Sequence, residues 1–229
     1  MKVVYTLLAL MLLGGCQGAD RSSNAGSPDI FYTYINLDES LQPLVFEDTY
    51  HGQAKSNAIA YSEFQNVDFE SANVNLDVVG SRIQTINGVG AVHSSESTHS
   101  FIGRNFDQTF IALGFAEDII RIYDNYPAHQ SGKGWIRVLN CDTSIDNMIV
   151  LVNNTDTLYT GLQNIINMNM SSRDFLLVNA GTLNFKFING SSNEIINIFP
   201  SIELKERDKT TIYLYSHSNL GTRSGIIIE

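Results

Sequence analysis

The feature that most narrows the possible folds is that the chain repeats itself. Residues Phe31 to Leu41 (FYTYINLDESL) lie over Trp135 to Ile145 (WIRVLNCDTSI) without a gap, at a shift of 104 residues. Val74 to Val79 lie over Leu183 to Ile188 at a shift of 109, and Asp107 to Leu113 over Asp208 to Leu214 at a shift of 101. Three blocks in one order point to two copies of one structural unit. The unequal shifts imply a small length change between blocks. Asn87-Gly88 is a two-residue hairpin signal between Ile83-Gln84-Thr85-Ile86 and Val89-Gly90-Ala91-Val92, and it reads as an insertion peculiar to the first copy.

The matched blocks carry strand periodicity. Val74, Leu76 and Val78 alternate with Asn75 and Asp77, as Leu183, Phe185 and Phe187 alternate with Asn184 and Lys186; this is the two-residue period of a half-buried strand. The third block pairs Ile111 and Leu113 with Ile212 and Leu214 on the inward face, which turns Tyr213 and Tyr215 outward. Met148 to Val152 is continuously apolar and reads as a strand covered on both sides, after which Asn153-Asn154-Thr155-Asp156 turns the chain. Ile226 to Glu229 closes the second copy as Ile119 to Ile122 closes the first. With six or seven short strands per copy and no amphipathic helix, the expectation is an all-β chain of two tandem immunoglobulin-like antiparallel β-sandwich domains. Residues 29–124 and 135–229 form the two repeats, joined by a Pro-, Gly- and Ser-containing linker at 125–134.

The beginning of the chain is an address. Lys2 precedes an apolar run from Val3 to Leu13, too short to span a bilayer as a helix, which reads as a signal peptide over residues 1–15. Leu13-Gly14-Gly15-Cys16 resembles the bacterial lipobox, which implies cleavage before Cys16 and lipid on its thiol. Several acyl chains on one residue give effectively permanent attachment, where a single chain holds only marginally. Gln17 after that cysteine, by resemblance to sorted lipoproteins, points to the outer membrane, on its periplasmic or surface face. Residues 16–28 contain no large apolar side chain and read as a flexible tether. Once Cys16 is lipidated, Cys141 has no partner for an intrachain disulfide and reads as a small buried apolar residue.

The charge balance excludes one class of partner. The chain carries a formal net charge of -10 and no basic cluster, so phosphate backbones are repelled and nucleic acid is not expected. The common enzyme and cofactor signatures are absent: no Gly-x-Ser-x-Gly elbow, no His-Glu-x-x-His, no phosphate-cradling Gly-x-x-x-x-Gly-Lys and no Cys-x-x-Cys. Two patterns remain as candidate sites. His93, Glu96 and His99 have spacing that a zinc site could use, although a solvated polar loop accounts for the same residues. Tyr213 and Tyr215 on one strand face could form a sugar- or protein-binding patch, against aromatic pairing or domain packing as the plainer account. Asp142-Thr143-Ser144-Ile145-Asp146-Asn147 begins like a calcium loop but lacks glycine at the sixth position and glutamate at the twelfth, where Asn153 stands. The repeated Asn36/Asn140, Asp38/Asp142 and Ser40/Ser144 are expected instead to bond backbone amides and fix a turn.

Trp135-Ile136-Arg137-Val138-Leu139-Asn140, Asn179-Ala180-Gly181-Thr182-Leu183-Asn184-Phe185 and Thr210-Thr211-Ile212-Tyr213-Leu214-Tyr215 together resemble the bacterial envelope family called domain of unknown function 4397. The resemblance spans most of the second half, with a fainter echo in the first. It implies an exported protein of tandem β-sandwich copies, and it brings no catalytic residues. The expected function is a non-enzymatic cell-envelope lipoprotein, a binding or structural module held to the membrane through Cys16, with a protein or glycan partner and no cofactor. The alternative is a secreted metal-dependent or hydrolytic enzyme built on His93, Glu96 and His99.

Overall fold

Two-residue alternation along short segments gives strands from one end to the other. The computed structural model describes residues 30–48, 56–69, 79–87, 92–100, 107–113, 119–168 and 173–228. In the first half these form β1 (Ile30–Leu37), β2 (Leu44–Asp48), β3 (Phe64–Phe69), β4 (Val79–Asn87), β5 (Val92–Ser100), β6 (Gln108–Leu113) and β7 (Ile119–Tyr123). The second half contributes β8 (Lys133–Cys141), β9 (Met148–Val152), β10 (Asp156–Leu162), β11 (Leu176–Asn179), β12 (Gly181–Asn189), β13 (Ile195–Leu204), β14 (Lys209–His217) and β15 (Gly221–Ile228). The signal peptide, Cys16, the tether and the block at Val74 to Val78 lie outside the described residues.

Each half is a two-sheet β-sandwich. In the first, the sheet β3-β1-β6-β7 faces the sheet β2-β4-β5; in the second, β11-β8-β14-β15 faces β10-β9-β12-β13. Among the described residues pairing is antiparallel with one exception per half: β1 runs parallel to β6, and β8 parallel to β14.

Strand pairing corrects the repeat read from sequence. Asn36 pairs with Ala112 and Asn140 with Leu214, so with Asn36 matched to Asn140 the third block is shifted by 102, not 101. A one-residue slip exchanges the two faces of a strand. Ile111 and Leu113 are therefore the counterparts of Tyr213 and Tyr215, while Phe110 and Ala112 match Ile212 and Leu214. The middle block changes too. Ile83 pairs with Asp48 on β2, and Phe185 with Val152 on β9, which makes β4 the counterpart of β12 at a shift of 102. The hairpin signalled by Asn87-Gly88 is thus no insertion: Asn189-Gly190 stands at the same place between β12 and β13. At Gly190 a Cβ would meet the Asn147 amide oxygen at 2.6 Å, so any larger residue there requires that side chain to move.

The packing explains which faces are apolar. Tyr32, Tyr34, Phe110 and Ala112 meet Leu44 and Phe46 inside the first sandwich, and Ile136, Val138, Ile212 and Leu214 meet Met148, Val150, Phe185 and Phe187 inside the second. A third core lies between the halves. It is built from Ile35, Leu37, Ile111 and Ile122 on one side and Leu139, Cys141, Tyr213 and Ile227 on the other. The strands covered on both faces accordingly include β1, β6 and β8, buried along nearly all of their described length. β9, expected to be covered on both sides, buries Met148, Val150 and Val152 but leaves Ile149 and Leu151 half-buried.

Candidate functional site

The two halves meet through equivalent surfaces. Ile35 and Leu139, Leu37 and Cys141, and Ile111 and Tyr213 occupy matching positions and share one core, an isologous contact made within a single chain. Near the starts of β6 and β14, the matching residues Asp107 and Lys209 form an ion pair at 3.2 Å. At the strands' far ends, Leu37, Leu113, Cys141 and Tyr215 gather round one cavity. β1 and β8 therefore run in the same sense, and both strands leave the interface at the same end.

A buried charge fixes the docking. Arg137 on β8 is 1% exposed and donates from Nη1 to Asp124 Oδ1 at 2.5 Å. It also donates to Thr109 Oγ1 at 2.9 Å and Thr211 Oγ1 at 3.0 Å, which are themselves equivalent residues of the two halves. The Phe175 ring covers its guanidinium, 4.3 Å from the ring centroid. Burial pushes the Asp124 carboxyl above its ordinary range, while Arg137 and Thr109 pull the other way. The segment between β7 and β8 is pinned as well: Trp135 Nε1 donates to the Pro127 carbonyl at 2.9 Å, and the Phe175 amide to that of Asn125 at 3.1 Å.

At the far ends of β1 and β8 stand twin turns. Asp38 N donates to Asn36 Oδ1 at 2.9 Å, and the Ser40 amide and hydroxyl donate to Asp38 Oδ1 at 2.9 and 2.6 Å. Asp142 N, Ser144 N and Ser144 Oγ make the corresponding bonds at 3.2, 3.0 and 2.6 Å. The expected turn-fixing role of these residues is what the geometry displays. Each buried asparagine also donates its amide to a carbonyl of a following segment, Asn36 to Ile59 at 3.0 Å and Asn140 to Ile145 at 2.6 Å.

Between the turns opens a cleft of about 240 Å³, lined by Leu37, Leu113 and Cys141 at its floor and by Asp38, Glu39, Ser40, Tyr61, Thr143, Tyr215 and Ser216 around it. Tyr61 crosses from the first half and packs edge to face with the Tyr215 ring, centroids 5.6 Å apart. Its hydroxyl donates to the Ser216 carbonyl at 2.8 Å. Glu39 closes the same clasp by accepting from the Ser218 amide at 3.1 Å and its hydroxyl at 2.8 Å. Those bonds hold the Glu39 carboxyl below its ordinary range. Burial, with help from Glu39 and Tyr215, pushes the Tyr61 phenol up to about 12. Burial also raises the Cys141 thiol, so it stays protonated and unreactive.

The candidate residues read from sequence separate here. Tyr213 is 2% exposed, its ring lies in the interdomain core, and its hydroxyl donates to the Ser62 carbonyl at 2.9 Å. It is a docking residue, and the outward face assigned to it is the face between domains. Tyr215 is half-buried and walls the cleft. His93, Glu96 and His99 lie on β5, paired with β4, and so on a strand where a loop was the expectation. Among the described residues no cluster of three metal-ligating side chains occurs. Tyr61 and Glu39 were missed, because neither lies in a pattern that marks it and both act only through the contact between halves.

No family model matches the chain. No curated protein matches it either. Among solved structures it is similar to one described as alpha-glucan binding by a streptococcal virulence factor, at 11% identity over 81% of this chain and 93% of that one, with a TM-score of 0.25. A second is CBMbc, a family CBM26 module of Amy13K from Eubacterium rectale in complex with maltoheptaose, at 9% identity over 88% and 96%, with a TM-score of 0.26. A third is a putative adhesin from Bacteroides ovatus, at 6% identity over 87% and 92%, with a TM-score of 0.20.

Proposed function

We propose that this chain is a non-enzymatic lipoprotein of the bacterial cell envelope, held through Cys16 at the outer membrane, whose two sandwiches act as one preformed binding body. The observation that carries this reading is the shared core between the halves, with Arg137 and Asp124 buried inside it. A body already docked loses little freedom when it takes a partner, which is how a preorganised site gains affinity. In the cleft between the twin turns, side chains from both halves converge on an open surface. The apolar leader, the lipobox and the tether support the address.

Affinity capture from intact envelopes tests the binding role. The wild-type chain is expected to retain a protein or glycan that a variant with Tyr61→Ala and Tyr215→Ala loses. Identical recovery with both chains would remove the cleft from the reading. The anchor is tested separately: labelled palmitate should enter the wild-type chain and not Cys16→Ser, and the serine variant should leave the membrane fraction. Label in both would overturn the lipid assignment.

A further inference from the structure

Taking the cleft as the binding site, and so resting on the reading above, we propose that it holds the terminal residue of a neutral glycan. Its volume of about 240 Å³ falls below the roughly 300–1,000 Å³ of drug-sized pockets. That is room for one ring at the end of a chain and not for an extended segment.

The lining matches the two-sided chemistry of such a ring. Leu37, Leu113 and Cys141 make an apolar floor that suits a face of C–H bonds. Around it stand groups suited to hydroxyls. Asp38 Oδ1 already takes two donors from Ser40, which leaves its second oxygen to accept, and Thr143 is exposed at the mouth. The Tyr215 phenol stands on the same wall.

Other ligand classes fit less well. No lysine or arginine lines the cleft while two carboxylates do, so an anionic ligand meets only repulsion. A quaternary ammonium needs open ring faces. Tyr61 and Tyr215 instead set edge against face at 89°, and His217 stands 5.6 Å from the Tyr61 ring, so the rings occupy one another. A purely apolar ligand would strip water from the carboxylates without replacing it.

The test titrates the purified full-length chain, in detergent, with methyl glycosides and oligosaccharides of neutral sugars, with methyl glucuronide and with tetramethylammonium, followed by calorimetry. Saturable binding of a neutral glycan is expected. It should weaken at least about tenfold in Thr143→Trp, which fills the mouth from an exposed position, and again in Tyr215→Ala. A Thr143→Trp chain that keeps its urea midpoint shows that the loss is not unfolding. The proposal is overturned if no neutral glycan saturates, if Thr143→Trp leaves binding unchanged, or if the glucuronide or the ammonium binds more tightly. If neutral glycans fail while envelope capture still yields a partner that depends on Tyr61 and Tyr215, the ligand class falls and the binding role stands.

Discussion

At the end of β1, Asn36, Asp38 and Ser40 make the same bonds as Asn140, Asp142 and Ser144 at the end of β8. Across the interface, equivalent positions have parted company. Thr33 occupies the position that Arg137 holds in the second half, and Asp107 that of Lys209. The cross-strand pair Ile111–Ile120 in the first half is matched by Tyr213–Gly225 in the second. A turn serves its own strand, so both copies need it unchanged. A contact between copies can be improved by making the two sides different: a residue on a two-fold axis meets itself, and only divergence lets acid meet base there. Gly225 shows the same logic in volume. A Cβ there would meet the Tyr213 ring at 2.3 Å, so the large ring and the missing side chain are one adaptation.

The charged centre of the interface carries the largest expected effect. Arg137→Met should cost about 3–5 kcal/mol in urea denaturation, because it strands Asp124 in the interior, whereas Thr33→Val at the matching site should cost about 1 kcal/mol. Adding Asp124→Leu to Arg137→Met should recover most of the loss. Failure to recover would mean that the arginine acts through something other than its ion pair.

Next in size is Gly225→Val, which forces the Tyr213 ring off its strand and should cost about 3 kcal/mol, while Ile120→Val at the matching site should cost about 1 kcal/mol. Alkylation of Cys141, buried in the same interface, should speed up in Gly225→Val and stay slow in Ile120→Val. Equal labelling rates in the two variants would sever the link between that glycine and docking.

The twin turns sharpen the other half of the comparison. Asn36→Ala and Asn140→Ala should each cost about 1–2 kcal/mol, and the two costs should agree. A wide disparity would show that the turns are alike in geometry but not in burden.

The smallest effect is one of pH. Bonds from Ser218 lower the Glu39 carboxyl in the folded state, so its contribution is full above the ordinary carboxylate range and is lost as pH falls through the lowered value. The Ser218 amide resonance should hold steady from pH 7 down to the ordinary carboxylate range and move only below it. Movement near neutrality would separate the clasp from the Glu39 carboxylate.

The all-β sandwich class was legible because alternation is local: Leu183, Phe185 and Phe187 point one way whatever packs on them. The twin turns were legible for the same reason. The register of the third block was not. Asp107 over Asp208 looks like an identity, but parallel pairing sets Thr109 against Thr211, and only the contact of both hydroxyls with Arg137 makes that match meaningful. Ile86-Asn87-Gly88 and Ile188-Asn189-Gly190 held the signal for the middle block, hidden by the alternation of Val74 to Val78. Docking itself left one trace, since Phe110-Ile111-Ala112-Leu113 and Ile136 to Cys141 lack the polar alternation of strands with a wet face. Tyr61 left none, because its role depends on where a separate half of the chain happens to lie.

The shared direction of β1 and β8 gives the molecule poles. The chain enters β1 at Ile30, and eight residues later, about 25 Å along a strand, it reaches the turn beside the cleft. The cleft thus opens at the pole opposite the entry of β1, a full strand length from Ile30.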